Sequence, residues 1–203
     1  MPLPPFITPA APRLRLEPPS GPQWSHEVKF DGWRVQVRRD GRGVALLSRR
    51  GLDLTGRFSR VAQAVEALPQ ARNFIIDGEL VALDAAGLPS FDDLTRRDCD
   101  ATLCAFDILF DDGRDLRGQP LLERRRRLGM LLRRAPSCIV MPGAFIDGPE
   151  LLAAVEKMGL EGIVSKRLDM PYRSGANCGW VKVKTKAWRA IGQERYRRFG
   201  TRR

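Results

Sequence analysis

The chain has 203 residues, 43% of them hydrophobic, which suffices for one sizeable domain or two small ones with a packed core and excludes global disorder. Its formal net charge of +11 favours a polyanionic partner, with nucleic acid as the first candidate. No apolar run approaches the roughly 18 residues needed to span a bilayer, and the first residues lack the pattern of a signal peptide, so we expect no membrane partner.

Cysteine and histidine content restricts the chemistry. The four cysteines are scattered without a CxxC pair, so we expect neither a disulfide framework nor a zinc site, and a reduced cytoplasmic setting fits. His26 is the single histidine, which leaves little for a mechanism based on histidine, and we interpret it as structural. Catalysis must therefore rest on lysine, arginine and carboxylate side chains.

The first third of the chain is predicted to contain an arm, two strands and a helix. Residues 1–22 are rich in proline, which favours an extended arm or linker leading into a domain over residues 23–186. Alternation of apolar and polar residues predicts strands over 24–39 and 44–48. Apolar residues at helical spacing predict a helix over 58–68, ending before a proline.

The remainder mixes further strands and helices. The same criteria predict strands over 74–83, 103–110, 139–141, 162–167 and 180–185, and helices over 120–134 and 149–158. Residues 187–203 form a basic C-terminal tail, predicted to be helical in part. Antiparallel hairpins mixed with helices predict the α+β class.

Five segments combine charged residues with strand patterning. Residues 27–34 read EVKFDGWR, and alternation would place Glu27, Lys29 and Asp31 on one face of a strand. Residues 74–79 read FIIDGE, where two carboxylates interrupt an apolar strand and are costly to bury unless paired or metal-bound. The glycine between them would let a ligand approach the backbone. The other three segments are 103–109 (LCAFDIL), 161–166 (EGIVSK) and 180–184 (WVKVK). Each segment alone is also consistent with a solvated sheet face or plain core.

Together and in this order, the segments resemble the successive motifs of the covalent nucleotidyltransferases, which comprise ATP-dependent DNA ligases, RNA ligases and mRNA capping enzymes. Residues 29–34 resemble the K-x-D-G-x-R nucleophile motif and residues 48–49 the short arginine motif that follows it. The longer string FIIDGELVAL at 74–83 and EGIVSK at 161–166 look most like bacterial ATP-dependent DNA ligases of the repair type, associated with end joining. The resemblance covers roughly residues 24–186.

The resemblance implies an α+β, ATP-grasp-like domain of two antiparallel sheets flanked by helices, with ATP between them. In the family reaction a lysine attacks the α-phosphate of ATP, AMP passes to a DNA 5′-phosphate, and a 3′-hydroxyl displaces AMP and seals the nick. Lys29 would be this nucleophile. Because a free lysine is almost fully protonated at pH 7 and nearby carboxylates keep it so, we do not expect Glu27 and Asp31 both to contact the Lys29 amine.

The resemblance also assigns roles to the other residues. Glu27 would face the adenine and Phe106 would stack on it, with Arg34 and Arg49 on the ribose and phosphate side. Phosphate oxygens would be held by Lys166, Lys182 and Lys184. Glu79, which could also contact the ribose, and Glu161 would hold Mg²⁺ or Mn²⁺, since these cations prefer carboxylate, water and phosphate oxygens. We interpret Asp31 and Asp77 as structural members of the cleft wall.

Basic residues outside the motifs are candidate DNA contacts. The run 124–127 on the predicted helix 120–134 could grip the DNA backbone or form a solvated face. The tail is the denser cluster, and we predict DNA binding by five of its arginines: Arg195, Arg197, Arg198, Arg202 and Arg203.

The chain departs from typical DNA ligases after its last lysine motif. Only about twenty residues follow, too few for the OB-fold domain that comes next in such ligases. The chain is therefore expected to be a minimal natural protein, a fragment or one part of a split enzyme, and a separate OB-fold or end-joining protein is a candidate partner. The resemblance implies nicked double-stranded DNA as the other partner and a place in the bacterial cytoplasm near the nucleoid. Two alternatives stay open: an RNA ligase or RNA-end-modifying enzyme, and a non-catalytic nucleic-acid-binding accessory.

Overall fold

Two β-sheets with helices packed around them make up the computed structural model, which describes residues 2–68, 73–85, 87–96 and 99–190. The strands are β1 (Arg13–Arg15), β2 (Trp24–Lys29), β3 (Trp33–Asp40), β4 (Gly43–Ser48), β5 (Phe74–Ala82), β6 (Ala101–Asp111), β7 (Arg114–Asp115), β8 (Ile139–Val140), β9 (Gly162–Arg167) and β10 (Trp180–Lys184). The helices are α1 (Ser59–Glu66), α2 (Phe91–Thr95), α3 (Leu121–Leu132) and α4 (Gly148–Lys157).

The smaller sheet has the strand order β1-β10-β9-β2, and the larger sheet has the order β4-β3-β5-β6-β7 with β8 beside β6. Neighbouring strands are antiparallel except for two parallel pairs, β1 with β10 and β8 with β6. The predicted α+β class with two largely antiparallel sheets is thus confirmed. Helix α4 packs on the smaller sheet, while α1 and α3 pack on the larger one.

The larger sheet buries both of its faces. Phe74, Ile76 and Leu80 of β5 lie in the main core with α1 and α3. Ile75, on the other face of the same strand, packs with Phe106, Tyr172 and Trp180 in a second core between the two sheets. Alternation along β5 therefore directs its remaining inward side chains, Asp77 and Glu79, towards the smaller sheet.

The predicted strand over 24–39 is wrong as a single element. It is divided between β2 in the smaller sheet and β3 in the larger one, so the segment 30–32 crosses from one sheet to the other. Gly32 permits this crossing, because a Cβ at this position would overlap the carbonyl oxygen of Leu80. The alternation that placed Asp31 on the same face as Lys29 ends with β2.

The proline-rich N-terminal segment is extended, as predicted, but it packs on the domain. Ile7 and Ala10 are buried in the core between the sheets, and β1 adds a strand to the smaller sheet. A linker role does not describe residues 2–22. At the other end, a helical turn begins at residue 186, and the tail arginines predicted to bind DNA lie outside the described residues.

The arginine run of helix α3 was predicted either to contact DNA or to form a solvated face, and both predictions require exposure to solvent. Arg124 and Arg125 are buried and form salt bridges with Asp107 and Glu27, while Arg127 pairs with the buried Asp111. Only Arg126 is largely exposed, and it pairs with Glu123 of the same helix. The predictions of DNA contact and of a solvated face are therefore both wrong for Arg124 and Arg125. These two residues bind α3 to the larger and the smaller sheet.

Candidate active site

The register of the smaller sheet gathers the predicted lysines and carboxylates on one face. Gly162 of β9 lies between Lys29 of β2 and Lys184 of β10, and two residues further along β9 the pairing joins Glu27, Val164 and Lys182. Side chains two residues apart on a strand share a face, so these two rows lie side by side. A Cβ at Gly162 would overlap the carbonyl oxygen of Val183, which explains the glycine between the two lysines.

A β-bulge in the larger sheet turns Phe106 into the space opposite this face. Gly78 pairs with Ala105 and Asp77 with Asp107, so Phe106 is the extra residue of β6. A bulge redirects a side chain relative to the regular pleat. The close approach at Gly78, predicted to serve a ligand, is made instead by the neighbouring strand, where a Cβ would meet the carbonyl oxygen of Cys104 at 2.9 Å.

A cleft of about 200 Å³ lies between the two sheets. Eight of the nine residues predicted to bind the nucleotide line it: Glu27, Lys29, Arg34, Arg49, Glu79, Phe106, Lys166 and Lys182. The ninth, Lys184, and the predicted metal ligand Glu161 are not part of this lining. Glu161 contacts Lys29, which lines the cleft, and Lys184 contacts Glu161.

Glu161 bridges two lysines at the end of the cleft. Its carboxylate accepts hydrogen bonds from Lys29 Nζ at 2.6 Å and from Lys184 Nζ at 2.9 Å. Burial is the main cause that lowers the pKa of Lys182. The ammonium groups of Lys29 and Lys184 lie close enough to lower it further. The amine predicted to be the nucleophile therefore stands in a cluster of three lysines, two of which contact the Glu161 carboxylate.

Glu27 forms its salt bridges with Arg125 and Lys166. One carboxylate oxygen accepts a hydrogen bond from Arg125 and the other from Lys166, both at 2.7 Å. Lys166 is 2% exposed, and its Nζ lies 4.2 Å from the centre of the Phe106 ring. Burial is the main cause that lowers the pKa of Lys166, although Glu27 opposes it. Arg125 also donates to the carbonyl oxygens of Phe106 and Pro142, so one guanidinium joins both walls of the cleft.

Arg34 lies along the aromatic wall of the cleft. Its guanidinium forms a two-point salt bridge with Asp77, at 2.6 and 2.7 Å, and lies 4.5 Å from the centre of the Phe106 ring. Asp77 also accepts a hydrogen bond from Tyr172. Asp77 is thus a structural member of the cleft wall, in agreement with its interpretation from the sequence.

Comparison with known proteins identifies the family. The ATP dependent DNA ligase domain family matches residues 13–184. The chain belongs to this family. The resemblance inferred from the motifs is thereby confirmed.

Individual relatives agree with this assignment. A multifunctional non-homologous end joining protein LigD of Pseudomonas aeruginosa is 37% identical over 190 residues, covering 90% of this chain and 22% of that protein. A probable DNA ligase of Streptomyces coelicolor is 39% identical over 179 residues, covering 78% of this chain and 34% of that protein. The solved structure of mycobacterial DNA ligase D complexed with ATP and MES has a TM-score of 0.79 at 33% identity, covering 88% of this chain and 60% of that one. The ligase domain thus spans about a fifth to a third of these two curated relatives.

Two further observations concern metal and membrane. Within residues 2–68, 73–85, 87–96 and 99–190 of the ligase domain, no three His, Cys, Asp or Glu side chains form a group that could hold a metal ion. The Glu79 carboxylate nevertheless suits a cation brought by a nucleotide, because none of the described residues forms a hydrogen bond or salt bridge with it. No helix in the same part of the chain is long and apolar enough to cross a membrane.

Glu79 makes the stability of the ligase domain depend on pH. Burial, partly offset by Arg34 and Lys29, raises the pKa of Glu79 from 4.5 to about 7. Between these values the folded state retains a proton that the unfolded state has lost, so stability falls as pH rises through this window. Glu79→Gln removes this titration. The free energy of unfolding of the variant, taken relative to that of wild type, should therefore rise by about 2 kcal/mol between pH 5 and pH 8 in urea denaturation. Parallel curves for the two proteins would contradict the raised pKa.

The structure adds cleft residues that the sequence analysis did not assign. Trp180 lines the cleft on the same face of β10 as Lys182, and alternation along that strand could have identified it. Phe30 also lines the cleft, although alternation along the strand would place it on the face opposite Lys29. Residues 9–12 form part of the wall, and no local pattern could have indicated this, because their backbone hydrogen bonds are with Tyr172 and Gly175, more than 160 positions away.

Proposed function

We propose that this domain forms a covalent adduct between Lys29 and AMP and passes AMP to the 5′-phosphate of nicked double-stranded DNA, leading to nick sealing in DNA repair. The observation that carries the proposal is the cleft itself, where Lys29 lies with seven of the other eight residues expected to bind ATP. The family supports ATP as the nucleotide, and the end-joining relatives support repair as the setting.

The first step needs a neutral Lys29 amine. A bond forms from Lys29 Nζ to the α-phosphorus, the bond from that phosphorus to the bridging oxygen breaks, and pyrophosphate leaves. Glu161, 2.6 Å from Nζ, is within reach to take the proton. The ammonium groups of Lys182 and Lys184 stabilise the negative charge that builds on the phosphate oxygens.

The remaining side chains bind and orient the nucleotide. Glu27, fixed by Arg125 and Lys166, has acceptor lone pairs for the amino group of a purine. Phe106 offers a ring for stacking, with Arg34 beside it. Arg49, exposed at the mouth of the cleft, suits a phosphate.

Metal binding is assigned to Glu79, and to Glu161 when it releases a lysine. Mg²⁺ or Mn²⁺ is held in proteins by one or two carboxylates together with substrate phosphates, and it would supply further charge neutralisation there. A cation beside Glu79 favours its carboxylate form over the protonated form.

Other parts of the proposal concern partners. We propose that the arginines of the tail, Arg195, Arg197, Arg198, Arg202 and Arg203, contact DNA phosphates and hold the protein near the nucleoid. A separate OB-fold or end-joining protein would add further contacts with DNA. The full set of cleft residues supports an enzyme over a non-catalytic accessory.

Label transfer tests the proposal. The protein is incubated with α-labelled ATP and Mg²⁺, freed of unbound ATP, and mixed with matched nicked substrates that carry a DNA or an RNA strand at the nick. We expect label on the protein first and then on the DNA 5′ end. Transfer to RNA alone would favour the RNA ligase alternative. Protein that neither takes up label nor seals a pre-adenylated nick would contradict the proposal and favour the accessory.

A further inference from the structure

Residues 4–12, here called the N-terminal strap, close one side of the cleft. Residues 9–12 of the strap line the cleft together with Phe106 and Lys182. The strap leads directly into β1, which pairs with β10 beside the cleft lysines. Any change in the position of the strap therefore alters the cleft wall.

Hydrogen bonds at several points hold the strap. The Gln36 side chain donates to the carbonyl oxygen of Ile7 at 2.8 Å and accepts from the Ile7 amide at 3.4 Å. The Ala11 amide donates to the Gly175 carbonyl oxygen at 2.9 Å, and the Gly175 amide donates to the Pro9 carbonyl oxygen at 3.1 Å. These contacts hold the strap in place, but they do not involve the charged residues of the cleft.

One hydroxyl connects the strap to those residues. Tyr172 accepts a hydrogen bond from the Ala10 amide at 2.9 Å and donates one to Asp77 at 2.7 Å. Asp77 in turn holds Arg34 by two hydrogen bonds, and Arg34 lies on the Phe106 ring. Tyr172 is buried, and its ring packs edge to face against Trp180 with centres 6.0 Å apart. Burial, followed by Asp77, raises the pKa of Tyr172, so its hydroxyl keeps the proton that it donates.

We propose that Tyr172 is a positioning residue that ties the strap to Arg34, so that closure of the strap and nucleotide binding in the cleft favour each other. The proposal rests on the function proposed above, since it takes the ligand to be ATP. A strap that leaves the cleft withdraws the Ala10 amide from Tyr172 and opens the Arg34 side to water. A nucleotide held by Arg34 stabilises the closed arrangement, and by reciprocity the closed strap strengthens nucleotide binding.

Limited proteolysis measures the strap directly. Arg13 and Arg15 are the first trypsin sites in the chain, and both are exposed on β1 immediately after the strap. Mass spectrometry of the full chain identifies cleavage there by the loss of 13 or 15 N-terminal residues. We expect ATP without Mg²⁺ to slow this cleavage in wild type. Tyr172→Phe, which keeps the ring but removes both hydrogen bonds, should be cleaved about tenfold faster without nucleotide.

Adenylation kinetics separate positioning from loss of stability. For Tyr172→Phe we expect the half-saturating ATP concentration to rise about tenfold while the maximal rate of adenylation stays within about twofold, as for a lost binding interaction. A variant that is merely less stable would lose maximal rate in proportion to its unfolded fraction and keep the same half-saturating concentration.

Gln36→Leu keeps the test decisive if Tyr172→Phe does not fold. This change releases the strap at Ile7 and leaves Tyr172, Asp77 and Arg34 in place, and faster cleavage with weaker ATP protection would support the coupling. Unchanged cleavage in a folded Tyr172→Phe protein would overturn the proposal. Absence of ATP protection in wild type would overturn it as well. In that case label on wild-type protein shows that the proposed function stands without the strap, whereas no label shows that both have failed.

Discussion

Lys29→Arg is expected to abolish covalent attachment of AMP, lowering the rate of adenylation by at least about 10³-fold. Arginine keeps a positive charge beside Glu161, which contacts Lys29 Nζ at 2.6 Å, so the cleft should keep its fold. A guanidinium stays protonated at any accessible pH and has no free lone pair with which to attack phosphorus. Labelling with α-labelled ATP, followed by denaturing electrophoresis, measures the effect.

Lys182→Arg is the matched control for this variant. Lys182 lines the same cleft, and its substitution also exchanges an ammonium group for a guanidinium. If Lys182 only binds phosphate, the control should still become labelled, at a reduced rate. Label on the Lys29→Arg protein would assign the nucleophile to a neighbouring lysine and contradict the proposed role of Lys29.

Arg124→Met is expected to lower the free energy of unfolding by about 3–5 kcal/mol, because it leaves a buried carboxylate without its cation. Arg124 and Asp107 are both fully buried and joined by two hydrogen bonds of 2.8 Å. Arg124 also donates to the carbonyl oxygens of Gln119 and Met170, which lose their partner in the variant. Urea denaturation of the two proteins measures the difference.

Two further variants control for the loss of the charge pair. The double variant Arg124→Met, Asp107→Leu removes both charges and should recover part of the loss, since an apolar pair of similar size can replace a buried ion pair. Arg126→Ala removes an exposed arginine from the same helix and should change stability by less than about 1 kcal/mol. A cost as small as that for Arg124→Met would contradict the importance of the buried pair.

The active site illustrates how the fold serves the proposed chemistry. The smaller sheet supplies Lys29, Lys182 and Lys184, while the larger sheet supplies Glu79 and Phe106. Helix α3 fixes the two sheets to each other, because Arg125 bonds to Glu27 of one and to the Phe106 carbonyl oxygen of the other. Mutations in α3 that leave the cleft lysines unchanged should therefore still alter nucleotide binding.

The sequence by itself determined most of the local elements, and eight of the nine residues that it predicted to bind the nucleotide line one cleft. Strand β9 has the predicted bounds, and β5, β10 and α3 begin and end within about two residues of prediction. Hydrophobic periodicity reports on these elements because the 2.0 and 3.6 residue repeats belong to the backbone of each segment. The order of the motifs identified the family before any contact was known.

Only the tertiary structure decided how these segments meet. The division of residues 24–39 between two sheets, the bulge at Phe106 and the pairing of α3 arginines with Glu27 and Asp107 involve partners that are 17 or more residues apart in the sequence. The same is true of the strap, where Ala10 and Tyr172 are 162 residues apart. A residue pattern encodes which face of a segment is apolar, but it does not encode which distant segment covers that face. That choice follows from packing and from satisfying buried charges once the whole chain has collapsed.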